Sequence, residues 1–74
     1  MTLNKKLTAT QFDALAALMR LGIDTPRGRA LRAVLCYGVP VASAARAEGI
    51  AHQSVYRATA EAKRVIELAA AVTK

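Results

Sequence analysis

Apolar residues return every three or four positions along most of the chain, the spacing of amphipathic helices, and no stretch alternates in the manner of a strand. The first helix carries Phe12, Leu15, Ala16 and Met19 on one face. Its start is strongly marked: Thr8 is the N-cap, Gln11 three residues later completes a capping box, and Leu7 is placed to staple onto Phe12. Gly22 is expected to end it. Thr25-Pro26 opens a second helix as N-cap and first-turn proline, with Ala30, Leu31, Val34 and Leu35 inside and Arg29 and Arg32 outside, and Gly38 stops it. Pro40 restarts the chain as a two-turn helix, Val41 to Glu48, which Gly49 terminates. A last helix begins at Ala51 or His52 and meets no stop signal before about Val72. The expectation is an all-α fold of four to five helices over residues 7–74, with no repeat and no low-complexity linker. Residues 1–6 are expected to be a flexible N-terminus, since nothing apolar beyond Leu3 anchors them.

The spacing across residues 41–58 is that of a helix-turn-helix. Ala45 is small where two helices must cross closely, and Gly49 supplies the positive φ of a three-residue turn. Ile50 plugs that turn from inside, and Val55 and Ala58 lay the last helix onto the one before. An ordinary helical hairpin with a glycine turn is the plainer alternative, but it leaves the charge and the exposed residue types unexplained. One residue departs from the motif. Its turns usually place Ser or Thr before the recognition helix, whereas Ala51 cannot cap, a loss of about 1 kcal/mol.

Charge narrows the choice of partner. Eleven Lys and Arg against five Asp and Glu give a net charge of +6 in 74 residues, which implies an acidic partner. Double-stranded DNA is favoured over a membrane surface, because the basic residues are spread along the chain instead of lining one helix face opposite bulky apolar groups. The apolar fraction of 54% is inflated by alanine, and Phe12, Tyr37 and Tyr56 are the only aromatics, so the core is expected to be thin. Cys36 is the one cysteine and His52 the one histidine, so neither an intrachain disulfide nor a Cys/His zinc site can form within one chain. Cys36 is expected to be a small buried apolar group. Asp13 and Arg20 interrupt any signal-peptide core, and no run approaches the roughly 18 apolar residues of a membrane span, so a cytoplasmic location is expected. Paired carboxylates, a nucleophile with its base and a phosphate-binding loop are all missing from the sequence. No enzyme activity, metal, cofactor or small-molecule substrate is therefore expected.

At about 100° per residue, Val55, Thr59, Ala62, Ile66 and Ala69 share one side of the last helix. Gln53, Arg57, Ala60 and Arg64 occupy the opposite side, flanked by Ser54, Tyr56, Glu61 and Lys63. Gln can bridge adenine N6 and N7, Arg can bridge guanine O6 and N7, and Ser can reach a base or a phosphate. Gln53, Ser54 and Arg57 are thus candidate base readers. His52 at the helix start, with Lys63 and Arg64 farther along, suits the phosphate backbone. Ser43 and Arg46 lie on the outer side of the preceding helix, which in this motif crosses the backbone, and Arg27, Arg29 and Arg32 can extend that contact. Val65, Leu68 and Val72 form a second apolar stripe, turned away from the Val55, Ala62 and Ile66 side. A two-fold homodimer through that stripe is expected, setting two recognition helices about 34 to 36 Å apart.

The opening Leu7-Thr8-x-x-Gln11-Phe12, and Val34-Leu35-x-x-Gly38-x-Pro40-x-Ala42 followed by Ala45, Gly49, Ile50, Val55 and Ala58, resemble the KorA/TrfB-type plasmid transcriptional repressors. The resemblance is firmest over residues 34–59. It implies a sequence-specific repressor that binds a palindromic operator as a dimer, with Gln53, Ser54, Tyr56 and Arg57 on the recognition surface. Repressors of that family continue into a C-terminal dimerisation region, whereas this sequence ends at Lys74, so the Leu68 stripe is expected to replace it. Two other readings fit less of the pattern: a promoter-binding module like sigma-factor region four or a response regulator, and a helical interaction or antitoxin-like module that grips a protein.

Overall fold

A computed structural model describes residues 6–73. Four helices follow one another: α1 (Ala9–Met19), α2 (Pro26–Tyr37), α3 (Val41–Glu48) and α4 (His52–Thr73). They form a small all-α domain of 38 × 22 × 20 Å, whose long dimension is set by α4, about 33 Å at 1.5 Å per residue. The expected flexible terminus falls, apart from Lys6, outside the described residues. Lys6 itself lies with its side chain over Gly38, and the Leu7 amide donates to the Leu35 carbonyl at 2.9 Å.

The capping box of α1 forms in both directions. Thr8 Oγ1 accepts from the Gln11 amide at 3.1 Å, and Gln11 Oε1 accepts from the Thr8 amide at 3.0 Å. Leu7 packs against the cluster that contains Phe12, as a staple requires. The end of α1 differs from the sequence expectation: the stop is Arg20, at φ 55° and ψ 39°, and Gly22 has no positive φ. The Arg20 amide donates to the Ala17 carbonyl and the Leu21 amide to the Ala16 carbonyl, a Schellman pattern that turns Leu21 back onto the core. Burial of Leu21 thus outweighs the left-handed strain at Arg20, roughly 1–2 kcal/mol.

Gly22 has another use. Its carbonyl accepts from the Thr25 hydroxyl at 2.6 Å and lies against the third residue of α2, Gly28. A Cβ at Gly28 would stand 2.1 Å from that carbonyl oxygen, so the first turn of α2 touches the α1–α2 loop backbone to backbone. Thr25 caps the same turn by accepting from the Gly28 amide at 3.0 Å. At the other ends, α2 and α3 stop at Gly38 and Gly49, with φ 71° and 69°, as the sequence predicts.

Two adjoining clusters make the core. Phe12, Leu15, Ala16, Leu31, Leu35, Ala58 and Ala62 join α1, α2 and α4. Ala30, Ala44, Ala45 and Val55 join α2, α3 and α4, and Val34 packs on both clusters. Six of these eleven buried residues are alanine, so the helices approach closely and the core is as thin as expected. Cys36 is half-buried at the edge of the first cluster, less enclosed than expected. Burial pushes its thiol up, against the pull of the Arg32 guanidinium and with the push of the Asp13 carboxylate, which disfavours the thiolate.

The far half of α4 also differs from expectation. Val65 packs against the first cluster beside Ile66, while Ala69, assigned to the inner side, is exposed. Val65 lies seven residues, two helical turns, after Ala58 and so falls on the side that Ala58 already buries. The outer apolar stripe is reduced to Leu68 and Val72, with fractional exposures of 58% and 84%. Among the described residues no helix is long and apolar enough to cross a membrane.

Candidate nucleic-acid interface

The Gly49 turn fixes how the outer surfaces of α3 and α4 meet. The Gly49 amide donates to the Arg46 carbonyl at 3.2 Å and the Ile50 amide to the Ala45 carbonyl at 3.0 Å, closing α3 and redirecting the chain within three residues. Ile50 is half-buried against the second cluster, beneath the turn. Ala44, Ala45, Val55, Ala58 and Ala62 are all 2% exposed or less, so the inner faces of both helices are fully used by the core. Ala51 provides no capping side chain, and its carbonyl accepts from the Ser54 amide at 3.1 Å as α4 begins.

On residues 52–64 of α4 what remains outside is His52, Gln53, Tyr56, Arg57, Ala60, Glu61, Lys63 and Arg64, all exposed. Gln53 and Arg57 stand one turn apart on the side opposite Val55 and Ala62. His52 and Tyr56 pair edge to face, ring centroids 5.6 Å apart and planes at 72°, so each restricts the other at the start of the helix. Ser54 departs from the outward set: it is half-buried on the flank shared with Ala58 and Val65. Thr59 turns inward, its hydroxyl donating to the Val55 carbonyl at 2.8 Å.

Ser43 and Arg46 are exposed on α3. Arg46 lies in the last turn of α3, where a cation also complements the helix dipole. The arginines of α2 do not act alike. Arg29 is engaged by Glu48 of α3, Nε to Oε1 at 2.9 Å, and its Nη1 donates to the Asp24 carbonyl at 2.6 Å. Arg32 is exposed on the flank of α2 that carries Cys36, whereas Ala30 and Ala33 form the flank that packs with α3. It therefore stands apart from the α3–α4 surface with which the sequence reading grouped it.

Arg29–Glu48 is the one ion pair among the described residues, so Arg46, Arg57, Lys63 and Arg64 have their charges uncommitted there. The described residues hold no group of three His, Cys, Asp or Glu side chains placed to bind a metal ion. Sequence periodicity found the outward set on α4 but missed the Arg29 contacts, because Arg29 and Glu48 lie 19 residues apart and no pattern links them. No protein-family model, curated protein or solved structure matches this chain.

Proposed function

We propose that this chain is a sequence-specific double-stranded DNA-binding regulator, a repressor of the KorA/TrfB type, that lays the start of α4 in the major groove. The observation that carries the reading is the pair Gln53 and Arg57. Both are exposed one turn apart on a helix whose opposite face is locked by Val55 and Ala62, and Arg57 is in no ion pair among the described residues. Side chains that read base edges need both a rigid support and free donors. Tyr56, braced by His52, adds an apolar ring beside them that suits a thymine methyl group. Ser43 and Arg46 on α3, with Lys63 and Arg64 on α4, are assigned to the phosphate backbone.

The deciding experiment is selection of bound sequences from a random duplex pool, followed by affinities for the enriched and a scrambled duplex. Arg57→Ala and Gln53→Ala are each expected to cost roughly 1–3 kcal/mol on the enriched duplex and little on the scrambled one. Arg46→Ala is expected to weaken both alike. Equal losses on both duplexes for Arg57→Ala would reassign it to the backbone, and a pool with no enrichment would remove the sequence-specific reading.

Regulators of this kind commonly read two half-sites, and the second copy in this proposal docks through Leu68 and Val72. These two remain exposed after the core is complete, whereas Val65 and Ile66 are taken up by the first cluster. Sedimentation at micromolar concentration tests it. A wild-type dimer that Leu68→Glu dissociates, with loss of enriched-duplex binding, is the expected result. A dimer-free wild type that binds the enriched duplex contradicts the assembly. A chain that binds no duplex yet captures another protein through Leu68 favours the interaction-module reading.

A further inference from the structure

We propose that Arg29 is a positioning residue for the reading end of α4, clamping the α3–α4 turn to α2 and making no contact with DNA. The role in DNA binding rests on the function proposed above; the clamp itself rests on three segments that meet at one guanidinium. Arg29 belongs to the first turn of α2, its Nη1 holds the Asp24 carbonyl in the α1–α2 loop, and its Nε holds Glu48, the last residue of α3. The planar fork of arginine can satisfy two acceptors in fixed, divergent directions, which a lysine ammonium cannot do with the same geometry.

The place that is held needs holding. Of the three turn residues after Glu48, Gly49 and Ala51 are exposed and only Ile50 packs inward, so the turn has a single side chain of its own to hold it. A carboxylate at the C-terminal end of α3 is also disfavoured by the helix dipole. Pairing with Arg29 offsets that disadvantage and draws the end of α3 toward α2, and with it the angle at which α4 departs. Side-chain exposures of 51% for Arg29 and 23% for Glu48 show a pair that is partly withdrawn from water, with the carboxylate the more enclosed. Isolated exposed pairs contribute little, and the second bond to Asp24 distinguishes this one from them.

The sign of one substitution separates the clamp from plain electrostatics. Glu48→Ala removes a negative charge from a chain of net charge +6, so charge alone makes it bind DNA more tightly, whereas loss of the clamp makes it bind more weakly. Arg29→Lys keeps the net charge and tests the fork. With a mixed-sequence duplex of about 21 base pairs, two helical turns, Arg29→Ala, Arg29→Lys and Glu48→Ala are each expected to lose roughly three- to tenfold in affinity. The Arg29→Ala/Glu48→Ala double variant is expected to lose no more than either alone, and the dependence on salt is expected to match wild type. Tighter binding by Glu48→Ala, wild-type binding by Arg29→Lys, or a salt slope lowered by about 0.9 in Arg29→Ala would overturn the proposal, the last by making Arg29 a phosphate contact.

A readout without DNA keeps the two proposals separable. Exchange of the Gly49 and Ile50 amides is expected to quicken roughly threefold or more in Arg29→Ala and Glu48→Ala, while the Phe12 amide of α1 keeps its wild-type rate. Unchanged exchange at Gly49 and Ile50 refutes the clamp whatever the chain binds. Faster exchange in a chain that binds no duplex keeps the clamp and discards the DNA reading.

Discussion

Replacing Gly28 with alanine is expected to lower stability by about 3 kcal/mol, although alanine is the better helix former by about 1 kcal/mol. The added methyl group would lie 2.1 Å from the Gly22 carbonyl oxygen and 3.1 Å from both the Gly22 carbonyl carbon and Ile23 Cα. All three are backbone atoms, which cannot swing aside as a flexible side chain can. Relief requires moving the loop, and the loop is tied down by the Thr25 hydroxyl bond to that same carbonyl. Overpacking of a closed site costs about 1–3 kcal/mol or more, and a lost hydrogen bond adds about 1, which together exceed the gain in helix propensity. In a domain of this size such a loss lowers Tm by about 12–24 °C, readily followed by circular dichroism. Gly49→Ala is the control: its methyl group meets nothing within 4 Å, so it bears only the left-handed backbone strain, about 1–2 kcal/mol. If Gly28→Ala is no less stable than Gly49→Ala, the close approach of α2 to the loop is wrong.

Affinity for duplex DNA is expected to fall about fortyfold between 50 and 200 mM salt for one copy of the chain, if Arg46, Lys63 and Arg64 each neutralise one phosphate and release its counterions. The slope is about −0.9 per phosphate, and a two-fold pair doubles the exponent, giving a fall of about 2,000-fold over the same range. Because the exponents differ so widely, a titration at four or five salt concentrations reports the number of copies bound as well as the nature of the contact. A salt-independent affinity would exclude the backbone role of all three residues. The Lys63→Ala/Arg64→Ala pair is expected to reduce the slope by about 1.8 per copy, whereas Gln53→Ala leaves it unchanged.

Helix boundaries were legible in the sequence wherever a local rule decides them. Thr8 with Gln11, Thr25 with Pro26, Gly38 and Gly49 each act within a turn of their own position, and each does in the structure what its residue type requires. The boundary at Arg20 was not legible, because it is decided by where Leu21 must go, and that depends on helices still to come in the chain. The same limit applies to Gly28 and Arg29. A glycine inside a helix carries no mark of the carbonyl it will touch, and an arginine on a polar face looks solvated until its partner 19 residues away is in place. Val65 was legible and misplaced: a helical wheel sets it about 20° from Ala58, on the buried side where the structure has it, and not on the outer stripe. In the candidate site, Gln53 and Arg57 were found because outwardness follows from period alone, while the half-burial of Ser54 depends on a neighbouring helix.

The preponderance of alanine in the core reverses the usual order of mutational damage. Alanine scanning, the common way to find a core, cannot register Ala16, Ala30, Ala44, Ala45, Ala58 or Ala62, since it would replace each with itself. Of the eleven fully buried residues such a scan registers Phe12, Leu15, Leu31, Leu35 and Val55 and passes over both buried residues of α3, Ala44 and Ala45. What this interior lacks is room. Its vulnerability is to gain: an added methyl group at Ala44 or Ala45, in the cluster shared by α2, α3 and α4, is expected to cost about 1–3 kcal/mol by overpacking and to disturb the seat of α3 on α4. Glycine and serine, which keep the side chain small, are therefore expected to be tolerated better at these six positions than larger apolar residues.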